Sequence, residues 1–170
     1  MTGGKANGHN RQYQVECRDV LTFRNPELTP WAADGIDVPF ELPDTCWTFD
    51  VALGDRAGAL VVAECRRKIG AVKQEDLAAF AYKVEVLRKA LDIPVGGVFI
   101  AKKDHQIGAI KVAQFNGIQV AILRRRNSTG VQHYVLALRR GTRKAVPRYS
   151  HACAARFVHI DGLSCYANSH

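Results

Sequence analysis

The sequence predicts an α/β layer fold on a mixed β-sheet flanked by helices, and three observations carry that reading. Two β-rich runs enclose a glycine-bearing turn, a long pattern of helical period follows, and two apolar runs of strand length then alternate with a second helical pattern. Hairpin, helix, strand, helix, strand is the order of a sheet that starts antiparallel and continues parallel, with its crossover helices on the faces.

Each element has a local cause. Residues 1–12, MTGGKANGHNRQ, are rich in Gly and Asn and read as a disordered tail. Tyr13–Phe23 fits a strand or a short helix equally well by its apolar spacing. The segment NPELTPW (25–31) reads as a loop or single turn broken by Pro26 and Pro30. Cys46–Leu53 and Ala59–Arg66 make a hairpin about GDRAG (54–58), whose glycines suit a turn with positive φ. Val72–Leu91 sets Leu77, Phe80, Ala81, Val84, Leu87 and Leu91 at three- and four-residue steps, an amphipathic helix with Pro94 just beyond it. VGGVFIA (95–101) has the composition of a buried strand, with Gly96 and Gly97 allowing close backbone packing. Gln106–Phe115 is a second helix stopped by Asn116 and Gly117, IQVAIL (118–123) another strand, and VQHYVLAL (131–138) an edge strand. One α/β domain is therefore expected over 13–140, followed by a basic C-terminal extension over 141–170.

Composition narrows the class. The chain is 47% hydrophobic, enough for a core, yet no run approaches the roughly 18 apolar residues of a membrane helix. The first residues lack the apolar stretch of a secretion signal, so a soluble cytoplasmic protein with no membrane partner is expected. Five scattered cysteines without a C-x-x-C pair argue for free thiols, and the His and Cys residues between 151 and 170 lack zinc-site spacing. Residues 1–101 carry 12 Lys and Arg against 14 Asp and Glu, whereas residues 102–170 carry 12 against 2. Cations gathered in Arg124, Arg125 and Arg126, in Arg139 and Arg140, and in Arg143 and Lys144 suit a polyanion such as DNA, through counterion release from phosphates. A solvated basic surface is the other reading of the same charges.

Two acids interrupt the greasy hairpin. Alternation puts Leu60, Val62, Glu64 and Arg66 on one face, and a turn at 54–58 sets Asp50 opposite residue 62 or 64, on that same face. Two carboxylates held together in a half-buried place lose hydration and repel, so a positive group should join them. Mg²⁺, with Mn²⁺ as a substitute, suits two carboxylates plus waters and phosphate oxygens. An ion-pair cluster with Arg66 and Arg67 is the alternative.

The stretch from Asp50 through thirteen residues to Glu64, Cys65 and Arg66, followed by the helix opening VKQEDLAAFA (72–81), resembles the PD-(D/E)XK nuclease superfamily. The later strand, helix and strand look like its Mrr-like restriction endonuclease branch, and the resemblance spans Trp47 to Leu123. It implies a restriction-endonuclease-like three-layer fold and metal-dependent hydrolysis of DNA phosphodiester bonds. Asp50 and Glu64 would be metal ligands with the carbonyl of Cys65, and Arg66 would stand where the family has lysine. Arginine can stabilise phosphate charge but cannot take up a proton. Lys68, two residues further along the strand face, is a substitute, and Gln74 matches a glutamine found where the next helix starts. Gln74 reads equally well as a helix-start hydrogen bonder. For the acid that an N-terminal helix contributes in the family, Glu16 is the best positional match and Glu41 a weaker one. The resemblance also admits a catalytically inactive DNA-binding or assembly module, acting as a homodimer or within a larger complex.

Overall fold

The computed structural model describes residues 4–43, 45–67, 70–128 and 131–138, with the backbone alone for 4–9, 125–128 and 131–138. Its elements are α1 (Gly4–Arg24), β1 (Thr29–Pro30), β2 (Ile36–Leu42), β3 (Thr45–Gly54), β4 (Leu60–Arg66), α2 (Gln74–Leu91), β5 (Val95–Ala101), α3 (Ile107–Phe115), β6 (Ile118–Ser128) and β7 (Val131–Leu138). The strands form one mixed sheet in the order β1, β3, β4, β5, β6, β7, with β2 also paired to β3. β4, β5 and β6 run parallel, and all other pairings are antiparallel.

The architecture is three-layered, as expected for the restriction-endonuclease-like class, although the helices are distributed differently from a simple flanking of both faces by the crossovers. On one face Leu60, Val62, Phe99, Ala101, Ile118 and Val120 pack against Leu77, Phe80, Val84 and Leu87 of α2 and Ala109 and Ala113 of α3. Both crossovers advance the same way along the sheet, and right-handedness puts both helices on the same side. The opposite face, built from Val51, Leu53, Ala63, Val98, Ile100, Ala121 and Leu123, is covered by Tyr13, Cys17 and Leu21 of α1. Strand alternation explains the division: odd-numbered β5 residues reach the first core and even-numbered ones the second.

Three expectations change. The stretch read as a disordered tail to residue 12 is helical from Gly4, and the Tyr13–Phe23 ambiguity resolves as helix. Docking of Tyr13, Cys17 and Leu21 onto the sheet outweighs the low propensity of its Gly and Asn residues. β2 was not anticipated, although IDVPFEL alternates buried and exposed without a break. Pro39 disguises it, and is tolerated because β2 pairs only with β3. β6 also continues past residue 123 through the three arginines, with Arg124 opposite Val135. The basic extension over 141–170 lies outside the described residues.

Gly96 and Gly97, alike in sequence, have different surroundings. A Cβ on Gly97 would stand 2.5 Å from Ile118 Cδ1 and 3.0 Å from Val84 Cγ2, whereas one on Gly96 meets nothing nearer than 3.8 Å. Gly97→Ala should therefore destabilise the fold by about 1–3 kcal/mol through overpacking. Gly96→Ala should be close to neutral in the same denaturant titrations, and equal losses at the two positions would refute this packing account.

Candidate functional site

The site begins where two ladders lapse together. β3 and β4 pair from Gly54↔Leu60 to Val51↔Ala63, and continuing that register sets Asp50 opposite Glu64. On the other side of β3, Ile36↔Val51 and Val38↔Phe49 bracket an Asp37 and Asp50 placed opposite each other. Three carboxylates thus lie in one row across β2, β3 and β4. Asp37 has a left-handed backbone (φ 52°), a conformation seldom adopted by residues other than Gly, Asn and Asp. At this row β2 and β3 both change sides: Val51 and Ile36 face the α1 core, whereas Phe49 and Val38 face the α2 core. A break in pairing with an unusual backbone angle is how a sheet bends sharply.

Asp50 is held at both carboxylate oxygens. Oδ2 accepts the Cys65 backbone N–H at 2.6 Å, and Oδ1 accepts from Gln14 Nε2 of α1 at 2.9 Å. Gln14 Nε2 also donates to Asp37 Oδ1 at 2.8 Å, and Arg11 Nη1 donates to Asp37 Oδ2 at 3.2 Å. Glu64 is buried on the α2 side, and its Oε1 lies 3.0 Å from Arg66 Nη2.

Electrostatics leave Glu64 under-compensated. Burial first, and then the charge of Asp50, push its pKa above the ordinary carboxylate value, while Arg66 and Lys83 of α2 draw it back. The charge of Asp50 thus opposes ionisation of Glu64. The Arg66 side chain is 38% exposed, and such partly solvated pairs contribute only about 0–1 kcal/mol. A further cation is therefore favoured here. Among the described residues no three His, Cys, Asp or Glu side chains gather into a metal cage. Asp50 and Glu64 are the described groups that could hold a cation, and carboxylate oxygens suit Mg²⁺ or Mn²⁺ with waters completing the shell.

Beyond Arg66, further cations follow the strand ends. Lys102 N–H donates to the Arg66 carbonyl at 3.0 Å, and Arg124 Nε donates to the Lys102 carbonyl at 3.2 Å. These bonds tie together the ends of β4, β5 and β6, with Arg67, Lys102, Lys103 and Arg124 exposed. Val72 N–H to the Asp104 carbonyl and Gln106 N–H to the Val72 carbonyl, both 3.0 Å, join the loops that lead into α2 and α3.

The sequence-predicted residues are thus partly united. Asp50 meets the Cys65 N–H, and Glu64 pairs with Arg66. Gln74 is exposed at the start of α2, and its Oε1 lies 2.5 Å from where a Cβ on Gly108 of α3 would be, so its side chain is turned onto α3. Lys68, Arg139, Arg140, Arg143 and Lys144 lie outside the described residues, as do the side chains of Arg125 and Arg126. The N-terminal helix brings Gln14 to Asp50 in place of an acid. Glu16 is two residues further on, about 200° around the helix, and Glu41 stands opposite Cys46, away from the row. Gln14, Asp37 and Lys83 escaped the sequence reading. Recognising the alternation of IDVPFEL as a strand would have revealed Asp37, but no sequence signal marked Gln14.

No family model and no curated protein sequence matches the chain. Among solved structures it is similar to a repair endonuclease from Pyrococcus abyssi, at 22% identity and a TM-score of 0.49 over 64% of this chain and 46% of that one. It is also similar to EndoMS in complex with double-stranded DNA (21% identity, TM-score 0.47, 65% and 45% covered). EndoMS in its apo form gives 21% identity and a TM-score of 0.46, with 67% and 47% covered. The chain spans less than half the length of each.

The raised Glu64 pKa has a defined consequence for stability. The folded state holds the Glu64 proton more tightly than the unfolded chain, so its contribution is fully present below the ordinary value of 4.5 and is lost as pH rises through the folded value. Relative to Glu64→Gln, the wild type should lose stability between acidic and neutral pH in metal-free buffer. Denaturant titrations of both proteins across that range check this, and a pH-independent difference would contradict it.

Proposed function

We propose that this chain is a nuclease-like domain of the PD-(D/E)XK kind, in its Mrr-like branch, that cuts DNA by metal-dependent phosphodiester hydrolysis. The observation that carries the reading is the Asp50 and Glu64 pair at a parting of the sheet, where the Asp50 charge raises the Glu64 pKa and Arg66 pairs with Glu64. Asp50, Glu64 and the Cys65 carbonyl would hold the cation, and Mg²⁺ there would supply an acidified water and charge compensation for the leaving oxygen.

Arg66 takes the place of the family lysine and stabilises the phosphate. Its side chain is 38% exposed, so the guanidinium can reach a phosphate oxygen while it pairs with Glu64. Being permanently protonated, Arg66 fixes and neutralises the phosphate and takes no proton from water. Lys68 is the candidate for orienting water. Arg67, Lys102, Lys103 and Arg124 supply positive charge along the strand ends, and Arg125, Arg126, Arg139, Arg140, Arg143 and Lys144 are proposed as further contacts to the DNA backbone. These contacts are to phosphates and carry no sequence preference. Among the described residues no helix is long and apolar enough to cross a membrane. We propose a cytoplasmic setting and a homodimer or larger assembly.

Asp50→Ala should abolish cleavage of linear and supercoiled DNA in Mg²⁺ or Mn²⁺, a loss of at least about a hundredfold for the removal of a charge-organising group. It should leave salt-sensitive DNA binding in place. Equal cleavage by variant and wild type would remove Asp50 from the site. Binding without cleavage by the wild type would make the domain an inactive DNA-binding module.

A further inference from the structure

We propose that Gln14 is the positioning residue of the carboxylate site and that Asp37 is the anchor that holds Gln14 in place, an inference that rests on the nuclease reading of Asp50 and Glu64. Gln14 is 9% exposed. Its Nε2 has two hydrogens, and both are committed to carboxylate oxygens, Asp50 Oδ1 at 2.9 Å and Asp37 Oδ1 at 2.8 Å. Facing two acceptors, the amide must present its nitrogen, so its flip is decided by its surroundings.

Asp50 is thereby gripped from two elements on different sides of the gap. α1 supplies the Gln14 amide at one oxygen, and β4 supplies the Cys65 N–H at the other. The clamp is neutral. A lysine or arginine in its place would compensate Asp50 and compete with a cation, and a glutamate would add a fourth carboxylate beside Asp37, Asp50 and Glu64. An amide orients the carboxylate and leaves its charge for the metal. Asp37 is fixed in turn by Arg11, which also reaches Asp34 Oδ2 at 2.8 Å. The chain of contacts thus runs Arg11, Asp37, Gln14, Asp50, Cys65 N–H. The Arg11 pairs are solvent-exposed, with about half of each side chain accessible (52% and 45%), so the buried Gln14 is the link on which the clamp depends.

The test uses Gln14→Met, which keeps length and helix propensity but removes the donors. Freed of its clamp, Asp50 should lose its hold on the Cys65 N–H. Hydrogen exchange of the Cys65 amide should then accelerate about tenfold, the size expected for one charge-assisted bond, with the core amides of Val62 and Phe99 unchanged as the check on folding. Mn²⁺ affinity, titrated calorimetrically without DNA, should weaken by a similar factor, and kcat for DNA cleavage should fall while KM stays. Asp37→Asn retains an acceptor for Gln14 and tolerates the left-handed backbone, so exchange of the Cys65 amide should stay near the wild-type rate. Asp37→Ala should resemble Gln14→Met, and the double variant should be no worse than either. Unchanged Cys65 exchange and Mn²⁺ affinity in folded Gln14→Met would overturn the proposal. A wild type that neither binds Mn²⁺ nor cuts DNA would sink the nuclease reading instead, with the Cys65 amide still deciding the clamp.

Discussion

The hydrogen bond from the Cys65 backbone N–H to the Asp50 carboxylate is the constraint on which the site depends. Up to Val51↔Ala63 the β3–β4 ladder pairs backbone with backbone. One residue further, a side chain takes the donor. A buried N–H must be satisfied, and here an acid satisfies it, so the strands part without an orphaned group. The parting lets β3 and β2 change faces and leaves Asp50 beside Glu64. The helices then converge on the gap from both layers, α1 through Gln14 and α2 through the charge of Lys83.

Such an arrangement is poor for stability alone. A pair of apolar residues at positions 50 and 64 would avoid the desolvation of Glu64 and its repulsion from Asp50, and would extend two good cores. The half-exposed Arg66 compensates only part of this cost. Local disagreement between burial and charge, embedded in elements that are otherwise consistent, is the usual mark of a functional position. Arg66 sets the character of the chemistry proposed here, because a guanidinium can neutralise and orient a phosphate but cannot act as a base.

The sequence made the parallel half of the sheet legible. β4, α2, β5 and α3 have periodic patterns closed by Pro94, Asn116 and Gly117, and their boundaries fall within two residues of expectation, whereas β6 starts as expected and runs on to Ser128. The hairpin register was legible only to two alternatives, because turn length alone does not choose between residues 62 and 64 as the partner of Asp50. β2 was hidden by Pro39, whose rarity in strands does not apply at an edge. α1 was hidden because its stability comes from tertiary docking of Tyr13, Cys17 and Leu21, while its first turns hold Gly and Asn. Glu64 and Arg66 could be read from alternation within β4, whereas Asp50 sits where β3 changes sides and alternation did not fix its face. Gln14 and Asp37 could not, because they reach Asp50 from 36 residues away and from a strand that had not been recognised.

The central claim is that Asp50 and Glu64 together hold a divalent cation. Paramagnetic broadening by substoichiometric Mn²⁺ in isotope-labelled protein tests it most directly, since it reports position without requiring catalysis. The account predicts selective broadening at Asp50, Glu64 and Cys65, reversed by excess Mg²⁺ and absent in Asp50→Asn. Broadening centred elsewhere, or unchanged at these residues in Asp50→Asn, would contradict it.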